Sequence, residues 1–153
     1  MNLATTTIQV RDEADEVTET ELVAVNMETF DRAVPWRQFR WYRNQRHYSG
    51  SYWCATTSGV VGYESRLELA NLLLQDFDPR IRWILAQPFL VSGADGQRAR
   101  RHVPDYLVES SGGELCVIDV KPAALLTDER ISQALDWSRR VVEACGWEYR
   151  VAS

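Results

Sequence analysis

Lysine is almost missing from this chain: of its 17 basic residues 16 are arginine, and the one lysine is Lys121. Cysteine is sparse and unpaired, with Cys54, Cys116 and Cys145 far apart and no CxxC among them. That pattern excludes a disulfide framework and a thiolate zinc site, and it fits reduced thiols in a cytoplasm. Cys116 lies in an apolar run and reads as a small core residue. No stretch approaches the roughly 20 continuous apolar residues of a membrane helix. No charged-then-apolar leader opens the chain, so membrane and secreted classes are set aside. Internal repeats and low-complexity tracts are lacking too.

What is present is an ordinary globular composition, 45% apolar and 25% charged over 153 residues, which suits one domain with a buried core. Charge is unevenly spread. Residues 1–31 carry eight acidic side chains against Arg11, whereas residues 32–63 carry five arginines and no acid. The net charge of −5 therefore hides a basic region that could meet an anionic partner.

Three segments follow. Residues 1–31 read as a solvated acidic tail, or as an edge strand around Leu22, Val23 and Val25. As a tail it could screen the basic arm from DNA. Residues 32–62 form an arm rich in arginine and aromatics, extended or folded as a hairpin. Residues 63–153 form the core. In YESRLELANLLLQDFD, Leu67, Ala70, Leu73 and Leu74 recur at helical spacing, and Asp78-Pro79 ends the helix. IRWILAQPFLV, RHVPDYLV and LCVIDVKP read as three strands, with Pro88 marking a bulge or an edge. Thr127 is the expected cap of a second helix, whose buried stripe would be Ile131, Ala134, Leu135, Val142 and Cys145, with Gly146 as its stop. WEYRVAS supplies a last strand. The expected fold is α/β: a central mixed β-sheet flanked by helices.

Chemistry gathers around the lone lysine. Thirteen residues separate Asp105, which follows Pro104, from Asp119, and Lys121 lies two positions further on. If a tight SSGG turn makes the two strands neighbours, Asp105 and Asp119 meet at one end of the sheet. Asp119 and Lys121 then share a strand face, and Val120 keeps its carbonyl near the site. Glu68, on the preceding helix, can add a third carboxylate; Glu64, one turn earlier, competes for that place. Carboxylates with a backbone carbonyl suit Mg²⁺, with Mn²⁺ as a substitute. Such an ion can activate water and polarise a phosphoryl oxygen. A lysine beside it can orient water, act as a base if its pKa is depressed, or stabilise developing charge. Arginine fills those roles poorly, which makes a single lysine at this position chemically sensible.

The spacing D-x13-D-x-K resembles the PD-(D/E)xK nuclease motif. YESRLELANLLLQDFDPRIRWILAQPF, RRHVPDYLV and above all CVIDVKPAALLTDER resemble the TnsA endonuclease subunit of heteromeric cut-and-paste transposases, over residues 37–153. The resemblance implies a restriction-endonuclease-like core and Mg²⁺-dependent cutting of DNA at the 5′ ends of an element. It implies a DDE transposase subunit and an ATPase regulator as partners. It matches Glu68, Asp105 and Lys121 to catalytic positions and puts Asp119 where members carry Glu, Gln or Asp; the ligand set becomes Glu68, Asp105, Asp119 and the Val120 carbonyl. Members carry a further C-terminal domain, whereas this sequence stops after the last core strand.

DNA contacts are expected from Arg37, Arg40, Arg43 and Arg46 of the arm, interleaved with Trp36, Phe39, Trp41, Tyr42 and Tyr48, and from Arg98, Arg100 and Arg101. His47 and His102 lack ligand spacing and read as surface or hydrogen-bonding groups. Two other readings use the same residues: a free-standing restriction or repair nuclease, which would cut alone, and a non-catalytic DNA-binding or assembly module, which would have no use for the carboxylates and Lys121.

Overall fold

The computed structural model describes residues 5–37 and 48–153. Among them are ten strands and two α-helices, a mixed α/β fold dominated by strands. Strand β9 (Leu115–Val120) is apolar except for Asp119 and buried throughout, as suits a strand covered on both faces. It lies between β8 (Tyr106–Ser110), antiparallel, and β10 (Glu148–Ala152), parallel, and β5 (Ile81–Ala86) completes the order β10-β9-β8-β5. The parallel pair is joined through α2 (Glu129–Ala144), the crossover such pairing requires.

Alternation along β9 sorts the core into two clusters. Leu115 and Val117 pack with Trp137, Val141 and Val142 of α2. Cys116, Ile118 and Val120 pack with Leu72 of α1 (Arg66–Phe77) and with Cys54 and Val61 of the hairpin β3 (Gly50–Cys54) and β4 (Gly59–Tyr63). The central sheet is therefore mixed, with one helix against each face.

Two of the expected strands are each broken in two. IRWILAQPFLV divides into β5 and β6 (Leu90–Asp95), and RHVPDYLV into β7 (Arg98–His102) and β8. Pro88 and Pro104 fall in the breaks, where a missing N–H interrupts the ladder. Beyond the breaks the antiparallel pair continues as β6·β7 in a second sheet, ordered β2-β1-β6-β7. Asp105 consequently sits at the bend before β8, outside the strand assigned to it from sequence.

Residues 7–31, read as a tail or an edge strand, fold into that second sheet. Strand β1 (Thr7–Arg11) pairs with β6 on one side and β2 (Val17–Glu21) on the other. Ile8, Val10, Leu22 and Phe30 enter the core, and Phe30 stands 5.9 Å from Phe89 and 5.7 Å from Trp147, ring to ring. Leu22 begins a 3-10 turn rather than a strand. The acidic side chains lie outside β1, in the turn after it, on β2 and beside Leu22 and Phe30, and none of them is buried, which is why composition alone suggested a solvated tail.

Both helices differ from their expected faces. Helix α1 buries Asn71, Leu72 and Gln75, while Leu74 and Phe77 are 70% and 82% exposed. The helix is held in this rotation by Asp76, which accepts bonds from the Tyr52 hydroxyl, the Cys54 thiol and the backbone N–H groups of Ala55 and Thr56. In α2 the buried face is Leu135, Trp137, Ser138, Val141 and Val142. Its cap is Asp128, accepting from the N–H groups of Arg130 and Ile131, whereas Thr127 donates to Ala124 O. Gly146, at φ 78°, ends the helix as expected.

Candidate active site

The bend that follows His102 brings Asp105 against the end of β9. Its Oδ2 accepts from Val120 N at 2.7 Å and from Lys121 Nζ at 3.1 Å. The same ammonium donates to Val120 O at 3.2 Å. Lys121 N donates in turn to Ala152 O at 2.9 Å, which fixes the strand end to β10. Asp105 and Lys121 are mostly covered but keep an open side, 14% and 28% exposed.

The backbone behind Asp105 is held by Gln87, a buried residue at φ 44°, a conformation non-glycine residues seldom adopt. Gln87 N donates to Asp105 O, Gln87 O accepts from Trp36 N, and its Oε1 accepts from Arg37 N. Arg37, exposed, is thereby pinned one residue away from the Asp105 contact. Arg40, Arg43 and Arg46, with Phe39, Trp41, Tyr42 and His47, lie outside the described residues.

Glu68 occupies the third position of α1. Ser65 caps the helix, accepting from Glu68 N at 3.1 Å and donating to Glu68 Oε1 at 3.1 Å. Glu68 Oε2 accepts from Glu64 N at 2.7 Å. The arrangement is a capping box displaced by one residue. Glu64 contributes this backbone N–H, and the carboxylate facing the site is that of Glu68. Burial raises the Glu68 pKa, and the Asp105 charge adds to it. Burial likewise raises that of Asp105, with Lys121 opposing and Asp119 reinforcing the rise. Burial alone would lower the Lys121 pKa, but Asp105, Asp119 and Glu68 outweigh it and hold the ammonium above its ordinary value. Lys121 is thus a fixed cation at neutral pH; the sequence option of a depressed, basic lysine does not arise in this arrangement.

Asp119 is placed differently from the other carboxylates. It is fully buried, on the α2 face of β9, and its carboxylate accepts from Tyr149 Oη at 2.5 Å and from His102 Nε2 at 2.9 and 2.8 Å. Burial pushes its pKa up, but the bonds from His102 and Tyr149 and the charge of Lys121 prevail and leave it lowered. His102, read from sequence as a surface or hydrogen-bonding group, is a hydrogen-bonding one; Tyr149 was not identified from sequence, and its period-two relation to Val151, which pairs with Asp119, was the available signal.

The donor chemistry here is all oxygen: Glu68, Asp105 and the Val120 carbonyl. Such groups fit a hard divalent cation; burial is the main cause of the raised Glu68 and Asp105 pKa values, with the Asp105 charge adding to the rise at Glu68 and the Asp119 charge to that at Asp105. Among the described residues no three His, Cys, Asp or Glu side chains are grouped closely enough to hold a metal. The Lys121 ammonium lies between Asp105 and the Val120 carbonyl, and Asp119 is engaged elsewhere.

Of the expected DNA-facing arginines on β7, Arg98 and Arg101 are exposed. Arg100 is 14% exposed and donates to Asp95, which also accepts from Arg140. β7 is the outer strand of its sheet and leads through His102 to Asp105, with exposed Arg101 at the end near His102 and exposed Arg98 at the other end. No helix among the described residues is long and apolar enough to cross a membrane. No protein-family model matches the chain, and no curated protein matches it.

Proposed function

We propose that this chain is a divalent-cation-dependent DNA endonuclease of the TnsA type, acting as one subunit of a heteromeric transposase with a restriction-endonuclease-like core. The observation that carries the reading is the convergence of one ammonium, Lys121 Nζ, on the Asp105 carboxylate and the Val120 carbonyl at a bend beside Glu68. Mostly covered carboxylates gathered at a strand end are costly to keep for folding alone. It is useful where a cation and a phosphodiester are to be bound.

Asp105, Glu68 and the Val120 carbonyl would hold Mg²⁺ or Mn²⁺. When bound, the ion supplies Lewis acidity at a phosphoryl oxygen and a lowered pKa for water. Lys121, as an ammonium, would orient water and stabilise the charge that grows on the phosphoryl oxygens. The attacking water oxygen would form a bond to phosphorus as the bond to the 3′ oxygen breaks; the water gives up a proton to solvent and the leaving 3′ oxygen takes one up, leaving a 5′-phosphate and a 3′-hydroxyl. Arg98 and Arg101 supply backbone contacts from β7, and Arg37 from the start of the arm. Choice of target then falls to the partners, a DDE transposase subunit and an ATPase regulator.

The test is a nicking assay on supercoiled plasmid with Mg²⁺ or Mn²⁺, with and without the transposase subunit, comparing wild type, Asp105→Ala and Lys121→Ala. Cutting by wild type alone in the presence of the partner supports the reading. Equal cutting by all three proteins, or none by wild type under any condition, overturns it. Full activity without a partner would favour a free-standing nuclease instead.

A further inference from the structure

Asp119, aligned by spacing with the carboxylates that would hold a cation, is built into the protein in a way that none of them is. It is the fully buried one, with 0% of its side chain exposed. One carboxylate oxygen accepts from His102 Nε2 and the other from both His102 Nε2 and Tyr149 Oη. The donors come from two directions: Tyr149 from β10 of the same sheet, and His102 from β7 of the other sheet. Since a carboxylate and a tyrosine hydroxyl already meet here, the His102 nitrogen facing Asp119 must carry its proton. Alternation sets Asp119 with Leu115 and Val117 on the α2 side, whereas Val120 packs on the side of α1, the helix that carries Glu68.

We infer that Asp119 is a positioning residue rather than a cation ligand, and that His102 and Tyr149 clamp it so that β9 presents the Val120 carbonyl and Lys121 to Asp105. The clamp joins three strands at one point. Through His102 it also fixes β7, the strand bearing Arg98 and Arg101, to the end of β9. A movement of either sheet would shift Val120 and Lys121 relative to Asp105, so the clamp sets the geometry of the oxygen cluster without touching anything bound there. In its consequence for cation binding the inference rests on the nuclease reading; in its geometry it does not.

Because Lys121 is the only lysine, selective isotope labelling of lysine at the side-chain ε-carbon gives the full chain a single NMR signal at the site. Without metal, Tyr149→Phe, which removes one hydroxyl, should shift that signal; an unmoved signal overturns the clamp. Mn²⁺ is then titrated as a paramagnetic probe. Wild type and Asp119→Asn should both lose the signal by broadening, the variant's midpoint higher by no more than about 10–100-fold, the range for a group outside the ligand set. Asp105→Asn should keep its signal over the same range. Loss of Mn²⁺ broadening in Asp119→Asn equal to that in Asp105→Asn makes Asp119 a ligand and overturns the inference. If wild type itself shows no broadening, the cation-dependent reading fails, and the metal-free shift in Tyr149→Phe still decides the clamp. In the nicking assay Tyr149→Phe should lower kcat while the Mn²⁺ concentration for half-maximal rate stays the same.

Discussion

Lys121 holds Asp105 across the end of the sheet, Nζ to Oδ2 at 3.1 Å, while the Asp105 carboxylate also accepts from the N–H of the residue preceding that lysine. Side chain and backbone of one strand end thus converge on a single carboxylate. The lysine is a compact point charge with three donors, and it spends two of them on Asp105 and the Val120 carbonyl. A guanidinium is wider and planar, and cannot sit between those two oxygens at the same distances. Lys121→Ala should lower the nicking rate by about 10²–10³, the loss seen when one preorganised donor is removed. Lys121→Arg should recover little of it despite keeping the charge. Single-turnover cleavage checks both. Recovery of the wild-type rate by arginine would show that charge alone suffices.

The two carboxyls beside that lysine predict an unusual pH dependence. Glu68 and Asp105 have pKa values raised above their ordinary 4.5 and 3.8. Their protonated forms are favoured in the fold, so the stability they contribute is full below those ordinary values and falls as pH rises through the raised ones. Asp119 has the opposite sign: its contribution is present above its ordinary 3.8 and is lost as pH falls through its lowered value. Without metal, Asp105→Asn should therefore gain stability relative to wild type as pH is raised from about 4 to about 8. Mg²⁺ should raise the wild-type Tm more at the upper end of that range, where both carboxylates are charged, and should leave Asp105→Asn nearly unmoved. Thermal denaturation across pH, with and without Mg²⁺, reads both effects. A Mg²⁺ response equal at both ends would contradict them.

Strand β7 offers a comparison between neighbouring arginines. Arg98 and Arg101 face solvent, and Arg100 donates to Asp95. Replacing Arg98 or Arg101 with alanine should weaken DNA binding for all sequences alike and reduce the slope of log affinity against log salt by about 1 each. Arg100→Ala should leave that slope unchanged and instead lower the stability of the protein, because it removes one of the two arginines that hold Asp95. Fluorescence anisotropy over a salt series, with denaturant unfolding of the same variants, separates the two outcomes. A slope change in Arg100→Ala would mean that this ion pair opens to DNA.

The order of helix, strands, helix and strand in residues 63–153 was legible because continuous apolar runs and glycine or proline breaks are local signals. LCVIDV announces a doubly covered strand by itself. The pairing of Asp105 with the end of β9 followed from a short turn between two strands. What sequence could not supply was long-range. The bends at Pro88 and Pro104 look like bulges until the second sheet that receives β6 and β7 is known. Residues 7–31 look like a solvated tail because only four scattered apolar side chains, Ile8, Val10, Leu22 and Phe30, are buried among eight acids. Ala70 and Leu74 fit a helical stripe, yet the face that packs is set by Asp76 and the hairpin bonded to it. Asp119 was expected to meet Asp105 at the end of the sheet as a cation ligand, and nothing local in the sequence announces that His102, from another sheet, reaches it.

Asp76 deserves a variant for that reason. Its carboxylate accepts from Tyr52 Oη at 2.7 Å, Cys54 Sγ at 3.2 Å, Ala55 N at 3.1 Å and Thr56 N at 2.7 Å, and its own carbonyl accepts from Thr56 Oγ1 at 3.1 Å. Four donors of the β3–β4 hairpin thus depend on one side chain near the end of α1. Asp76→Ala leaves them to water and frees the hairpin from the helix, at a cost of about 2–4 kcal/mol given roughly 1 kcal/mol per ordinary bond and more for those to a charge. Asp76→Asn keeps one acceptor oxygen and should cost less. The hairpin packs Cys54 and Val61 against Leu72, so loosening it also frees α1 to rotate and carries Glu68 away from Asp105. Urea unfolding should show the stability loss, and Mn²⁺ titration of the folded variant should show weakened binding even though Asp76 lies outside the oxygen cluster. Unchanged Mn²⁺ affinity in a destabilised Asp76→Ala would show that Glu68 keeps its place through the Ser65 cap alone.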